Sequence, residues 1–357
     1  MRTLSLLLAL TPPLQAQYPN VPRLAVTTLP TLGADRDWTH LAGAALLPNG
    51  QVMVAERTIP EVVLFDPAGV ARWSFGERGG GPGEFRALTL TRCADGTVLV
   101  WDAGLARFTV IDTTGSYDLV SHPNGASLLF SGCNSLHDTY WSHRNAGASP
   151  PPSETWFVGE ATFLRQHRGR VDTLGTGRTR YWFGVNMSTD DPLGERAYPI
   201  TGGGVAYLCQ AGSGSCTSHR ANGITHTFTV NLPTPRVTNE DWRHANADRE
   251  RRASVVFNPN TRDRFVRLFQ SQPRPQRFGR FEEAAVDDQG QLWVKSYYRY
   301  GQPTARWFIY SPLGAPLYQV DMPAGWRPLG FSGSHVVGET LNDDDVPVVR
   351  QYELRPH

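Results

Sequence analysis

The sequence predicts an all-β fold: a six-bladed β-propeller of four-stranded antiparallel blades. Three observations predict it. Turn residues are dense, with 35 glycines and 27 prolines in 357 residues, which favours many short strands. A two-hairpin unit recurs along the chain at a spacing suited to one four-stranded blade. The last unit lacks a strand that the start of the chain can supply, and such closure protects sheet edges. A large β-sandwich is the rival arrangement of the same strands.

The repeat justifies the blades one by one. "LLPNGQVMVAE" (46–56), "TRCADGTVLVWD" (91–102) and "VDDQGQLWVKS" (286–296) each place a glycine-containing polar turn before alternating apolar residues, which is a hairpin signal. A second hairpin follows each, in "VVLFDPAGVARWSFG", "FTVIDTTGSYDLVSH" and "WFIYSPLGAPLYQVD". Gly69, Gly115 and Gly314 hold the same place in those turns, and Gly169 and Gly223 fit the same slot. Five units precede "WRPLGFSGSHVVGETLNDDDVPVVRQYELRP", which offers three strands. "RLAVTTLPTLG" (23–33) is the candidate fourth.

Two stretches interrupt the strands. "SFGERGGGPGEF" (74–85) is glycine-rich, but a phosphate loop needs a helix N-terminus and a Gly-Lys-Ser/Thr ending. The following "RALTLTRC" reads as strand, so the stretch is expected to connect blades, with Phe85 packing between sheets. "TPRVTNEDWRHANADRERRAS" (234–254) has an N-cap at Thr238, Asp241 three residues on and good helix formers behind them. Acids come early and arginines late, which suits the helix dipole. A helical insertion over 238–253 is expected.

The chain begins "MRTLSLLLALTPPLQAQ". Arg2, the apolar run Leu4 to Leu10, the proline break and Ala16 read as a signal peptide over 1–16, leaving one propeller domain over 17–357. The run is too short to span a bilayer. The protein is expected to be exported, to the periplasm or the extracellular space. Cys209 and Cys216 flank the turn of "CQAGSGSC", which predicts a disulfide across a hairpin and leaves Cys93–Cys133 by elimination. The spacing lacks the close Cys-x-x-Cys pair of a zinc site. A net charge of +1 argues against a nucleic-acid partner.

"FGERGGGPGEF" followed by "ADGTVLVWDAGLARFTVID" resembles an NHL-type repeat, and more closely the related bacterial exported six-bladed propellers. The resemblance rests on the Gly-Pro-Gly-Glu-Phe connector, the Asp-Gly turn and an Asp five residues before an Arg, here Asp102 and Arg107. These two read as a structural ion pair bracing a hairpin. In blade one the equivalents are Glu56 and Glu61, which removes the pair. The resemblance implies the fold and leaves activity open, because such propellers serve as binding modules, scaffolds, lyases and lactonases.

In a meandering blade the loops after strands two and four emerge on one face. That face should gather residues 57–60, 76–86, 102–107, 296–306 and the helical insertion. Candidate ligand- or partner-binding residues there are Arg57, Arg86, Tyr297, Tyr298, Arg299, Tyr300 and Arg243. Tyr and Arg concentrate binding energy, and guanidinium groups suit carboxylate or phosphate. The expected function is a non-catalytic binding or scaffold propeller without a cofactor, holding a protein or a small anionic ligand. The alternative is a metal-dependent hydrolase or lyase of the lactonase-like type. The resemblance implies a divalent metal such as Ca²⁺ in its central channel, with Glu56, Asp102, Asn186 and Asp287 as loose candidate ligands. The histidines form no His-Glu-x-x-His motif, and "GSGS" (212–215) lacks the strand-to-helix context of a nucleophile elbow.

Overall fold

Alternating residues and glycine turns fold the chain into six antiparallel sheets wrapped about an axis. This computed structural model describes residues 18–121, 128–145, 155–184, 187–190, 195–256, 262–263, 266–267, 270–272, 274–297, 301–342, 344 and 346–356. The proposed signal peptide lies outside them.

Strand β1 (Leu24–Thr28) precedes blade one, β2 to β5 (Leu41–Leu46, Val52–Glu56, Glu61–Phe65, Ala71–Phe75). A short parallel pair, β6 and β7 (Glu77–Arg78, Glu84–Phe85), leads to blade two, β8 to β11 (Leu88–Arg92, Val98–Asp102, Arg107–Ile111, Tyr117–Ser121). Blade three is β12 to β16 (Leu129–Ser135, Asp138–Asn145, Thr155–His167, Arg170–Gly184, Met187–Asp190). Blade four is β17 to β20 (Ala197–Gly202, Val205–Gln210, Ser215–Arg220, Thr225–Thr229), and helix α1 (Asn239–Val256) follows it. Blade five is β21 to β24 (Glu283–Val286, Leu292–Lys295, Thr304–Tyr310, Pro316–Pro323). Blade six is β25 to β27 (Arg327–Ser332, His335–Leu341, Pro347–Pro356), and β1 is its fourth strand.

The ring closes as the sequence predicts. β1 pairs antiparallel with β27, from Leu24↔Pro356 to Thr28↔Tyr352. Six separate apolar cores lie between neighbouring blades, one per interface. The one between blades one and two holds Met53, Leu64, Phe85 and Val100, and the one between blades six and one holds Leu46, Val63, Val337 and Val349. The others join blades two and three, three and four, four and five, and five and six. Six interfaces among six sheets require a closed ring.

The five repeat glycines read from the sequence turn the hairpin between the third and fourth strands of blades one to five. Gly69, Gly115, Gly169, Gly223 and Gly314 all have φ between 82° and 86°, a region that disfavours a β-carbon. Blade three departs from the four-stranded expectation. Its hairpin β14–β15 pairs from Thr155↔Phe183 to His167↔Arg170. This overhang gives β16 a partner, from Tyr181↔Asp190 to Gly184↔Met187.

The helical insertion forms with its expected cap. Thr238 Oγ1 accepts from Asp241 N at 3.1 Å, and Asp241 Oδ2 accepts from Thr238 N at 2.8 Å, a reciprocal capping box. The helix ends at Val256 rather than 253, so the arginines read as late fall short of its last turn, which holds no basic residue. No helix among the described residues is long and apolar enough to cross a membrane.

Both disulfides form. Cys209–Cys216 joins cross-strand partners of β18 and β19. Cys93–Cys133, with Cα atoms 4.8 Å apart, ties blade two to blade three.

Candidate functional site

The loops after strands two and four do share a face. Arg78 from the first connector donates to Thr58 O at 2.8 Å, and Arg107 reaches back to Gly81 O at 2.6 Å and to Glu84 O. The glycine-rich connector satisfies its own amides: Gly80 N and Gly81 N both donate to Glu84 Oε2 at 2.6 Å. These bonds hold the Glu84 carboxyl below its ordinary range. A phosphate would have to displace this carboxylate. Gly76 sits where a β-carbon would come 2.7 Å from the Phe85 ring, and Phe85 fills the core between blades one and two.

Asp102 and Arg107 are cross-strand partners, yet their side chains brace the connector separately. Asp102 accepts from the backbone N–H groups of Arg86 (2.7 Å), Ala87 (3.1 Å), Gly104 (2.8 Å) and Leu105 (3.2 Å). Arg107 donates to connector carbonyls instead. No ion pair joins the two among the described contacts. In blade one Glu56 does the work of Asp102, accepting from Thr39 N, His40 N and Thr58 N. Burial works to raise the Glu56 carboxyl, and these amides outweigh it and hold it low. Glu61 finds its cation in Arg36.

The loose metal-ligand set does not come together. Glu56 and Asp102 are committed to amides on the loop face. Asp287 sits in the β21–β22 turn at the opposite face, accepting from Gln289 N, Gln291 N and Trp293 Nε1. Burial raises its carboxyl to about 6. Asn186 lies outside the described residues. Among the described residues no three His, Cys, Asp or Glu side chains are placed to hold a metal.

The predicted binding residues spread around the ring. Arg57 is partly buried and spans two blades, donating to Leu88 O at 3.3 Å and Thr89 Oγ1 at 3.2 Å. Burial and Arg327 lower the pKa of its guanidinium. Arg86 is exposed between blades one and two, and Arg243 is exposed on α1. Tyr297 stacks on Phe278, with centroids 4.5 Å apart. Tyr298, Arg299 and Tyr300 lie outside the described residues.

Two clusters escaped the sequence reading. The first lies at the loop-face end of the first two strands of blade five. Lys295 is the chain's one lysine, and it is 5% exposed. It stands opposite Glu283, the first residue of the innermost strand of blade five. Its Nζ lies 3.5 Å from Glu282 and 3.8 Å from Glu283. Enclosure pushes the Glu283 carboxyl up, while Lys295, Arg327 and Arg196 pull it down less strongly. Yet 28% of its side chain stays accessible, so the enclosure is incomplete. The mismatch between a single lysine and 34 basic residues was the available signal.

The second cluster is the neck of the insertion. Segment 234–238 and the returning segment 274–280 run side by side, with Val237 N donating to Gln276 O and Phe278 N to Pro235 O, both at 3.1 Å. A groove of about 560 Å³ between them is lined by Arg236, Val237, Arg274, Pro275, Gln276 and Arg277. The three-residue spacing of arginines in "PRPQRFGR" (273–280) was the missed signal, since the stretch carries no motif.

No family model and no curated protein matches the chain. Solved structures do. A putative exported protein from Bacteroides fragilis is 13% identical over 95% of this chain and 98% of its own, with a TM-score of 0.51. A member of the DUF4221 family from Bacteroides vulgatus is 10% identical over 94% and 99%, at 0.49. A gluconolactonase from Xanthomonas campestris is 11% identical over 97% and 98%, at 0.47. Identities this low show architecture alone. The chain is similar to these proteins as a propeller, and its chemistry rests on its own residues.

Proposed function

We propose that this protein is an exported, non-catalytic binding propeller that holds an anionic ligand or partner on its loop face. Charge segregation is the observation that carries this reading. Residues 234–280 hold eleven arginines and five carboxylates, a net +6, whereas the whole chain is +1, leaving −5 for the remainder. Such a concentration in one segment of the chain favours anionic ligands. Two disulfides and the apolar start of the chain support export.

Fluorescent poly-L-glutamate is the test. It should bind at low salt and weaken progressively from about 20 mM to about 300 mM as screening grows, while neutral dextran does not bind. Replacing exposed Arg86 and Arg243 by Ala should weaken capture without moving thermal unfolding. No capture at low salt would sink the reading. The metal-enzyme alternative is less well supported because Glu56 and Asp102 are already spent on amides. Stoichiometric metal in purified, undialysed protein would revive it.

A further inference from the structure

We infer that the neck of the insertion is a binding site for a phosphate group, formed by Arg236, Arg274 and Arg277. The inference rests on the anion-binding reading above and narrows it to one groove and one ligand class. Three arginines are among the six residues that line this groove. Arg274 is pinned by Val237 O and Asn239 Oδ1, and Arg277 by Thr234 O. Arg280, just behind, is pinned by Leu232 O at 2.8 Å. Carbonyl and amide oxygens fix these side chains without neutralising them. A guanidinium carries five N–H donors, so donors remain after the pinning bonds are made.

None of the three has a carboxylate partner among the described residues. The acids nearest Arg236 in sequence lie on the first turn of α1, and Glu282, nearest Arg277, pairs with Lys295. Asp241 is tied into the Thr238 cap, and Glu240 lies 3.8 Å from His244 on the next helical turn. Asn239, which Arg274 grips, is the first residue of α1, so the helix dipole adds positive potential. Three like charges around one groove, two of them pinned in place, are mutually repulsive. A phosphate, with several acceptor oxygens and up to two charges, offsets that repulsion better than one carboxylate. The groove is of ligand-pocket size, which suits a phosphomonoester or a lipid headgroup.

Isothermal titration of the full chain with glycerol 1-phosphate, and flotation with phosphatidylglycerol against phosphatidylcholine vesicles, test the site. Binding of glycerol 1-phosphate indicates a soluble phosphate compound, and binding of phosphatidylglycerol vesicles alone indicates a headgroup. Either supports the inference if the double variant Arg274→Gln/Arg277→Gln binds about tenfold or more weakly. Arg236→Gln should repeat the loss in part, and unchanged thermal unfolding of either variant shows that it folds. If neither probe binds while poly-L-glutamate does, the phosphate site is overturned and the broader reading stands. If poly-L-glutamate also fails, both fall. Equal phosphate affinity in a folded double variant also overturns the site.

Discussion

Arginines in the blades and arginines in the insertion neck are held by different partners. In the blades five of them meet carboxylates: Arg165 bonds Asp138 at 2.7 Å, Arg306 bonds Asp321 at 2.8 Å, Arg355 bonds Glu353 at 2.8 Å, and Arg36 and Arg327 grip Glu61 and Glu339. In the neck, Arg274, Arg277 and Arg280 meet backbone carbonyls. These five blade charges are neutralised within the fold, whereas the neck arginines, like Arg107 and Arg57, are held by groups that leave their charge intact. In the proposed reading the neck's charge serves a ligand. The same residue type braces one region and stays available in the other, and the difference lies in what the fold places beside it.

If the blades are a self-satisfied frame, cutting their packing should be the costliest change. Phe85 is fully buried and meets Phe75 edge-on at 5.8 Å. Phe85→Ala should cost about 3 to 5 kcal/mol in denaturant unfolding, with anion capture retained at temperatures where the variant is folded. A cost under about 1 kcal/mol would mean that the interface collapses to fill the gap and that the frame is softer than its packing suggests.

The disulfides sharpen the same contrast. Cys93–Cys133 closes a separation of 40 residues across two blades, and Cys209–Cys216 one of 7 within a hairpin. On loop entropy alone, removing the first should cost about 4 kcal/mol and the second about 2 kcal/mol. Paired Cys→Ser variants compared by chemical unfolding check the order. Mass mapping under non-reducing conditions checks the pairing itself.

A smaller effect should appear with pH. Asp287 is buried, and its carboxyl is raised to about 6 from an ordinary 3.8. The native state therefore holds this proton more tightly than the unfolded chain does. The stability it contributes is complete below about pH 4 and is lost as pH rises through about 6, an effect of up to about 3 kcal/mol. Asp287→Asn should flatten that part of the stability profile. An unchanged slope between about pH 4 and about pH 6 would assign it to other groups.

Much of the frame was legible because its signals are local. Gly69 and Gly115 mark turns by the backbone they must adopt, and Thr238 with Asp241 spells a cap within four residues. The strand 24–28 was legible because blade six was one strand short. The two-charge clusters were not. Asp102 and Arg107 looked like an ion pair because residue type suggests charge partners, while the fold gives them amides and carbonyls, which every residue carries. β16 exists because β14 and β15 overrun their blade, a length that no turn signal marks. Lys295 and Glu283 meet through the register of β21 and β22, and Arg236 and Arg277 through the bridge that joins the two ends of the insertion.

The smallest expected effect discriminates best between the two regions. Arg306→Gln removes one partner of a half-exposed pair with Asp321 and should cost at most about 1 kcal/mol, less as salt rises. In Arg274→Gln two changes oppose: bonds to Val237 and Asn239 are lost, and repulsion from Arg236 and Arg277 is relieved. The net change should stay within about 0.5 kcal/mol, and at low salt it should lean toward stabilisation, a lean that salt abolishes. Added glycerol 1-phosphate should then widen the contrast, raising the melting temperature of the native chain and of Arg306→Gln more than that of Arg274→Gln, since a ligand stabilises a folded state in proportion to how tightly that state binds it. If Arg274→Gln instead loses stability as Arg306→Gln does, and phosphate raises all three alike, the neck is braced like a blade and the contrast between the two regions disappears.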